Sequence, residues 1–258
     1  MRQTIKALGW IIAILWIAVL LLPATVALSI LQLMEGQNFG IQEPTFTVSP
    51  EGNFTMSMPV YVNNTGFYDL SEITVTIKIT KENRTISTLA TTLPDVPAGT
   101  MASSNCTISS SLAELFAQDR ELLTNTATLI MRATLHFRVA YAIAFNGTMN
   151  FPVDWGAPFN NLDINVINYN LTSGTVSVSI NFDNDAYFDL SGPLLIKLYN
   201  AEDELISSSQ MNLNISSQTH FQDLFEMTVS DPSKMSNSGS IRLYFLDMEI
   251  FEGGWILP

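Results

Sequence analysis

Along most of the chain, hydrophobic residues occupy every second position. Met56, Met58, Val60 and Val62, for example, alternate with Ser, Pro and Tyr. A period of two predicts β-strands with one face in a core. Clusters of Asn, Asp, Gly and Ser separate the runs, as expected of turns between short strands. The pattern therefore predicts an all-β chain built from antiparallel β-sandwiches.

The amino-terminal segment departs from this pattern. After Arg2 and Lys6 no charged residue occurs until Glu35. Residues 8–31 exceed the roughly 20 apolar residues that cross a bilayer, and they are apolar on all sides. We expect residues 1–39 to be a transmembrane signal anchor with its positive end in the cytoplasm. A signal peptide cleaved near residues 24–27 is the alternative, and either interpretation exports the remainder.

One motif occurs twice, 120 positions apart. Residues 64–71 read NTGFYDLS and residues 184–191 read NDAYFDLS. The alternating strand before the first copy also recurs before the second, at Val176, Val178 and Ile180. Such duplication predicts two tandem sandwich modules, residues 40–155 and 156–258, joined at a proline-containing boundary.

Helical periodicity occurs in two places. Residues 112–123 have an apolar stripe preceded by Ser109, Ser110 and Ser111. Serine is a preferred amino-terminal cap, so we predict a short helix in the first module, begun by one of these serines. Residues 221–227 are the candidate for a shorter equivalent in the second module.

Two strand patterns are irregular. Odd-numbered positions from Leu129 to Phe145 are all apolar, which exceeds a typical strand. The prediction is one long bent strand, or two strands separated near Arg138. In the second module the apolar phase changes after Phe245, which predicts a β-bulge.

Composition changes the picture in three ways. Eleven basic and twenty-four acidic residues give a formal charge of −13, so binding to nucleic acid is not expected. The first module has six basic and ten acidic residues, net −4, and the second has three and thirteen, net −10. Cys106 is the single cysteine and excludes an intramolecular disulfide.

The stretches 60–75 and 180–198, together with Ile86-Ser-Thr-Leu and Val96-Pro-Ala-Gly, resemble the LEA14-like family, also called WHy domains. Asn63-Asn64 and Asp183-Asn184 stand where that family usually has Asn-Pro. The resemblance implies an immunoglobulin-like or fibronectin-III-like sandwich, in the membrane-anchored tandem form familiar in archaea. It also implies a non-catalytic role in stress or desiccation tolerance and transfers no catalytic residue.

Few residues suggest chemistry. Asp183, Asp185 and Asp189 form a weak candidate site for calcium, which prefers several oxygen ligands from one loop. The alternative is that the turn residues of the repeated motif fix the backbone by hydrogen bonds. Those turn residues are Asn64, Asp69, Asn184 and Asp189.

The histidines and the Asn-x-Ser/Thr motifs do not indicate a catalytic or metal site. His136 and His220 are far apart in sequence and are expected to be structural or surface histidines. Asn-x-Ser/Thr acceptors for glycosylation are expected on the surface of an exported chain. The candidates are Asn53, Asn63, Asn83, Asn170 and Asn214, with Asn105 and Asn146 less favoured.

These observations predict a non-enzymatic, single-pass surface protein without a cofactor. Its modules would act in envelope structure, stress protection or protein interaction. The alternative is a module that binds lipid or another apolar ligand. Two closed cores would favour the first hypothesis, and a continuous apolar groove would favour the second. A hydrolase is the third class, and no nucleophile motif supports it.

Overall fold

The computed structural model describes residues 2–34, 38–170 and 172–257. It begins with helix α1 (Arg2–Met34), and most of the remaining described chain consists of antiparallel strands. The strands of the first module are β1 (Phe39–Ile41), β2 (Thr45–Val48), β3 (Asn53–Asn63), β4 (Leu70–Lys81), β5 (Arg84–Thr92), β6 (Met101–Ser111), β7 (Ala127–Val139) and β8 (Ile143–Trp155). Those of the second are β9 (Asn160–Asn170), β10 (Thr175–Asn184), β11 (Leu190–Asn200), β12 (Leu205–Ile215), β13 (Thr219–Thr228), β14 (Ser238–Phe245) and β15 (Met248–Ile256).

The two halves have the same sheet topology. In the first, β3 pairs with β6 on one side and with β1 and β2 on the other, and the facing sheet has the order β5-β4-β7-β8. In the second, the orders are β13-β10-β9 and β12-β11-β14-β15. Each half is thus an immunoglobulin-like or fibronectin-III-like sandwich, and the predicted all-β fold is confirmed.

Alternation explains why these segments are strands. Met58 and Val60 of β3 and Val178 and Ile180 of β10 are fully buried between the sheets. Pro59 lies in a central strand, where proline is unusual. Its carbonyl accepts from the amide of Gln42, beyond the end of β1, so its missing N–H faces the interruption between β1 and β2.

The helix predicted over residues 112–123 is present but shorter. Helix α2 (Leu112–Gln118) begins at Ser111, whose Oγ accepts from the amide of Glu114 at 3.1 Å. At Asp119 the backbone is extended, and its carboxylate caps a separate 3₁₀ helix (Arg120–Leu123). The Asp119 carboxylate also pairs with Lys81 at 3.0 Å. Asp119, the residue at which α2 ends, thus has its carboxylate held by the 3₁₀ helix and by Lys81.

The predicted helix at residues 221–227 is wrong, because this segment belongs to β13. Strand β13 pairs with β10 along its whole length. Phe221, Phe225 and Met227 follow the period of a strand, and they pack on the core. The pairing with β10 therefore outweighs the local helical pattern.

Hairpin turns explain both irregular strand patterns. The run from Leu129 to Phe145 is two strands, β7 and β8, joined by residues 140–142, of which Ala140 and Tyr141 have positive φ. Because this connection has an odd number of residues, the alternation keeps its phase across it. Leu246 and Asp247 have positive φ at the equivalent turn between β14 and β15. Paired positive φ values are typical of the hairpin turn that suits twisted strands. The phase change after Phe245 falls at this turn. The predicted β-bulge lies just beyond it, where the register shifts between the Tyr244–Glu249 and Leu243–Phe251 pairs.

Candidate functional site

The repeated motif forms the loop between β3 and β4 in the first module (residues 64–69) and between β10 and β11 in the second (residues 184–189). We call these the repeat loops. Each lies at the end of its module that faces the preceding part of the chain: α1 contacts the first, and the first module contacts the second. The repeat loops therefore form two equivalent joints.

A buried asparagine organises each repeat loop. The Asn184 side chain is 0% exposed, and its Nδ2 donates to the carbonyls of Phe188 at 3.1 Å and Ser216 at 3.0 Å. Its Oδ1 accepts from the amide of Ala186 at 3.2 Å. Both ends of the buried amide are thereby paired, as burial requires.

Asn64 makes the same three bonds in the first module. Its Nδ2 donates to the carbonyls of Tyr68 at 2.9 Å and Val96 at 2.8 Å. Its Oδ1 accepts from the amide of Gly66 at 3.1 Å. The duplicated sequence thus encodes a duplicated hydrogen-bond network.

The aspartate of each motif completes the network. Asp69 accepts from the amide of Ala98 at 2.9 Å, and Asp189 accepts from the amide of Ser217 at 2.8 Å. The partners lie 29 and 28 residues downstream, in the loop that leads into β6 or β13. The motif therefore ties two loops of its module together, which is a longer-range role than the local turn expected from sequence.

The three carboxylates of the calcium candidate are engaged by different groups. Asp183 lies 2.7 Å from His220 Nδ1 and accepts from Asn161 at 2.9 Å. Hydrogen bonds from Asn161 and His220 hold the pKa of Asp183 below its usual value. Asp185 accepts from Asn160 at 2.6 Å, and Asp189 accepts from the amide of Ser217. Within residues 2–34, 38–170 and 172–257, no group of three or more acidic, histidine or cysteine side chains could hold a metal ion.

The two histidines lie in different modules. His136 is on the polar face of β7, where its Nδ1 lies 2.7 Å from Asn146 Oδ1. His220 belongs to β13 and pairs with Asp183, so it does not precede a helix. Both make ordinary side-chain contacts on a sheet surface.

The glycosylation candidates differ in their surroundings. Asn63 is half-buried and donates to Asn38 at 3.1 Å. The others are exposed: Asn53, Asn83, Asn105, Asn146, Asn170 and Asn214.

The joint between the modules is tightly fixed by its backbone. The connecting residues Ala157 and Phe159 are fully buried. The carbonyl of Ala157 accepts from the amide of Asp185 at 3.0 Å, and the amide of Phe159 donates to the carbonyl of Leu123 at 2.8 Å. A side chain at Gly156 would meet the carbonyl of Asp185 at 1.6 Å. Only glycine fits there, so the connection is not a flexible linker.

Aromatic side chains close the same joint. Phe188 of the second repeat loop packs against Phe54 and Trp155 of the first module, with ring centroids 5.9 and 6.2 Å apart. Its neighbour Tyr187 stacks on Phe46 at 6.2 Å. The apolar cavity left between them and the first core is about 40 Å³. An engineered cavity of roughly 150 Å³ binds benzene, and this cavity is much smaller.

The joint between α1 and the first module uses the equivalent loop. Tyr68 Oη lies 2.7 Å from Thr25 Oγ1, and the amide of Phe67 donates to Ser29 Oγ at 2.9 Å. Val26 and Leu33 of α1 are buried against the sandwich, at 3% and 4% exposure. The end of α1 is therefore part of the first core.

A groove remains beside this joint. It has a volume of about 140 Å³ and opens between α1 and the two edge strands β1 and β8. Its lining is mostly apolar and includes Ile30, Leu33, Phe39, Leu135 and Phe145.

Sequence reasoning identified the asparagine and aspartate of the motif and missed its aromatic pair. Phe67-Tyr68 and Tyr187-Phe188 make the contacts across the joints. The available signal was that two adjacent aromatic residues occur in a polar turn in both copies. Aromatic residues at a turn between strands have no place in the module's own core, which indicates an outside partner.

No protein-family model matches the sequence, and no curated protein is similar to it. Among solved structures, the chain is similar to red sea bream transglutaminase, with a TM-score of 0.32 and 10% identity over 87% of this chain and 32% of that one. The YadV chaperone gives 0.29 and 10% over 84% and 98%. Bacteroides uniformis beta-glucuronidase 2 gives 0.29 and 12% over 78% and 26%. The chain thus spans about a third of the transglutaminase and a quarter of the glucuronidase, and likeness at this level says nothing about function.

We predict that Asn184→Ala destabilises the second module by about 1–3 kcal/mol, because buried carbonyls lose their donor. The matched control is Asn214→Ala, which removes an exposed asparagine from the same module. Urea denaturation of the full chain in detergent measures both. Equal stability of the two variants would contradict a structural role for the buried amide.

Proposed function

We propose that the chain is a non-catalytic, membrane-anchored extracytoplasmic protein whose two sandwiches form a stiff unit for envelope structure, stress protection or protein interaction. The observation that carries this proposal is that a helix of membrane-spanning length continues into the core of the first module. The helix is long and apolar enough to cross a bilayer, and its span is almost entirely exposed. The end of the anchor is thus packed against the first module.

Burial at the end of α1 favours an uncleaved anchor. Cleavage within residues 24–27 would remove or free Thr25 and Val26. Thr25 would lose its contact with Tyr68, and the first core would lose the buried Val26 side chain. A core that includes these residues is more stable with the helix attached.

The positive charges before the apolar span favour one orientation of the anchor in the membrane. Arg2 and Lys6 precede the apolar span, and positively charged flanks stay on the cytoplasmic side. The modules then lie outside the cell, where the exposed Asn-x-Ser/Thr acceptors are available for glycosylation. The net charge of −13 keeps such a surface soluble.

A structural or interaction role fits the interior of the modules. The cavity near the inter-module joint is only about 40 Å³, and the carboxylates of the motif are taken up by hydrogen bonds within the fold. The resemblance of the repeated motif to LEA14-like domains points to the same class of role. Family membership stays a prediction.

Protease treatment of intact cells tests the topology. The full chain would carry one epitope at each end. External protease should destroy the carboxyl-terminal epitope and leave the amino-terminal one intact. Loss of the amino-terminal epitope alone would contradict the orientation. An amino-terminal epitope that is absent from the mature chain before protease is added would favour the cleaved signal peptide.

The groove beside α1 supports one alternative, a site for a lipid chain. Gly147 lines this groove, and a Cβ atom there would meet open space. Gly147→Leu should therefore fill the groove and reduce the lipid that co-purifies with the chain several-fold. Ala144→Leu is the control, because it adds the same side chain at an exposed position of β8. Equal lipid content in both variants, measured by extraction and mass spectrometry, would exclude this function.

A further inference from the structure

The end of the first module that faces α1 carries exposed apolar side chains. Phe67 in the repeat loop is 60% exposed, Met101 at the start of β6 is 66% exposed, and Tyr141 in the β7–β8 turn is 61% exposed. We call this set of three the apolar tip. Apolar side chains grouped at one end of a soluble module indicate a contact surface.

Hydrogen bonds between the loops hold these residues at one end of the sandwich. The amide of Ala140, next to Tyr141, donates to the carbonyl of Asp69 at 3.1 Å. Asn64 joins the repeat loop to Val96, in the loop that leads to β6. The apolar tip is therefore carried by three loops that are tied to one another.

The equivalent end of the second module contacts a neighbouring part of the protein. There, Tyr187 stacks on Phe46 of the first module. In the β14–β15 turn, the Leu246 side chain lies close to Gly52 of the first module. At the position of Tyr141 the second module has Asp247. The equivalent end of the second module thus contacts the first module through Tyr187, which is still 55% exposed, and Leu246. In the first module α1 contacts Tyr68 and the amide of Phe67 and leaves the Phe67 side chain exposed.

The length of α1 indicates what the rest of this end faces. A hydrocarbon core of about 30 Å takes about 20 helical residues. Counted from Lys6, this places the far boundary of the bilayer at about Thr25 and Val26. Thr25 contacts Tyr68, and Ser29 contacts the amide of Phe67. The first repeat loop therefore sits at the level where the bilayer ends.

We propose that the first module rests directly on the bilayer and that Phe67, Met101 and Tyr141 enter its interfacial layer. Tyrosine is enriched at this depth because its apolar ring and its hydroxyl are both accommodated there, and Phe67 and Met101 would bury apolar surface beside it. The contact depends on apolar burial, since the tip residues themselves carry no charge. This inference rests on the proposed function, because it requires α1 to span the membrane.

Spin labels on the full chain in phosphatidylcholine vesicles test the contact. Phe67→Cys, Met101→Cys and Tyr141→Cys place labels on the tip, and Leu205→Cys is an exposed control at the start of β12. Cys106 is buried, and burial raises the pKa of its thiol, so it should stay unlabelled. We expect the ratio of collisions with oxygen to collisions with a water-soluble nickel chelate to be several-fold higher at the tip than at Leu205.

A fourth label separates the two proposals. Leu15→Cys lies in the middle of the apolar span and should give the highest ratio. Water-like ratios at all three tip positions with a high ratio at Leu15 would overturn the tip contact and leave the anchor intact. A water-like ratio at Leu15 would overturn both. Because the tip side chains are exposed and independent, loss of folding in one variant, seen by circular dichroism, leaves the other two to decide.

Discussion

The packing of each repeat loop against the part of the chain before it is the contact on which the rest of the molecule depends. The buried Asn64 and Asn184 amides give both loops one shape. That shape presents an aromatic pair outward, to α1 in one case and to the first module in the other. This contact packs α1 against the first module and the first module against the second.

The two repeat loops pack against different neighbours, α1 for the first loop and the first module for the second. Tyr68 uses its hydroxyl to bind Thr25 of a helix, whereas Phe188 uses only its ring, between Phe54 and Trp155. A tyrosine suits the first joint because it offers a polar edge close to the proposed membrane surface. A phenylalanine suits the second because the site is an apolar extension of a core. The side chain changes with the environment while the network beneath it is retained.

Alternation and duplication were enough to predict the fold, because burial of one strand face is a local property of the sequence. The errors occurred where long-range pairing decides the outcome. Residues 221–227 have a local helical pattern, yet pairing with β10 makes them a strand. The phase change after Phe245 indicated the bulge opposite Leu243 and Tyr244 but not the two-residue turn before it, because each of them shifts the alternation by one position. Similarly, the Asn and Asp of the motif were found, whereas their partners 28 to 32 residues away could not be read from spacing.

Distances between pairs of spin labels show whether the two modules behave as one rigid body. Labels at Asn105→Cys and Asn214→Cys report across the joint, and labels at Asn165→Cys and Asn214→Cys report within the second module; all three positions are exposed. We expect a single distance distribution across the joint that is as narrow as the one within the module and that broadens in Phe188→Ala. A broad distribution across the joint in the chain with native Phe188 would contradict it.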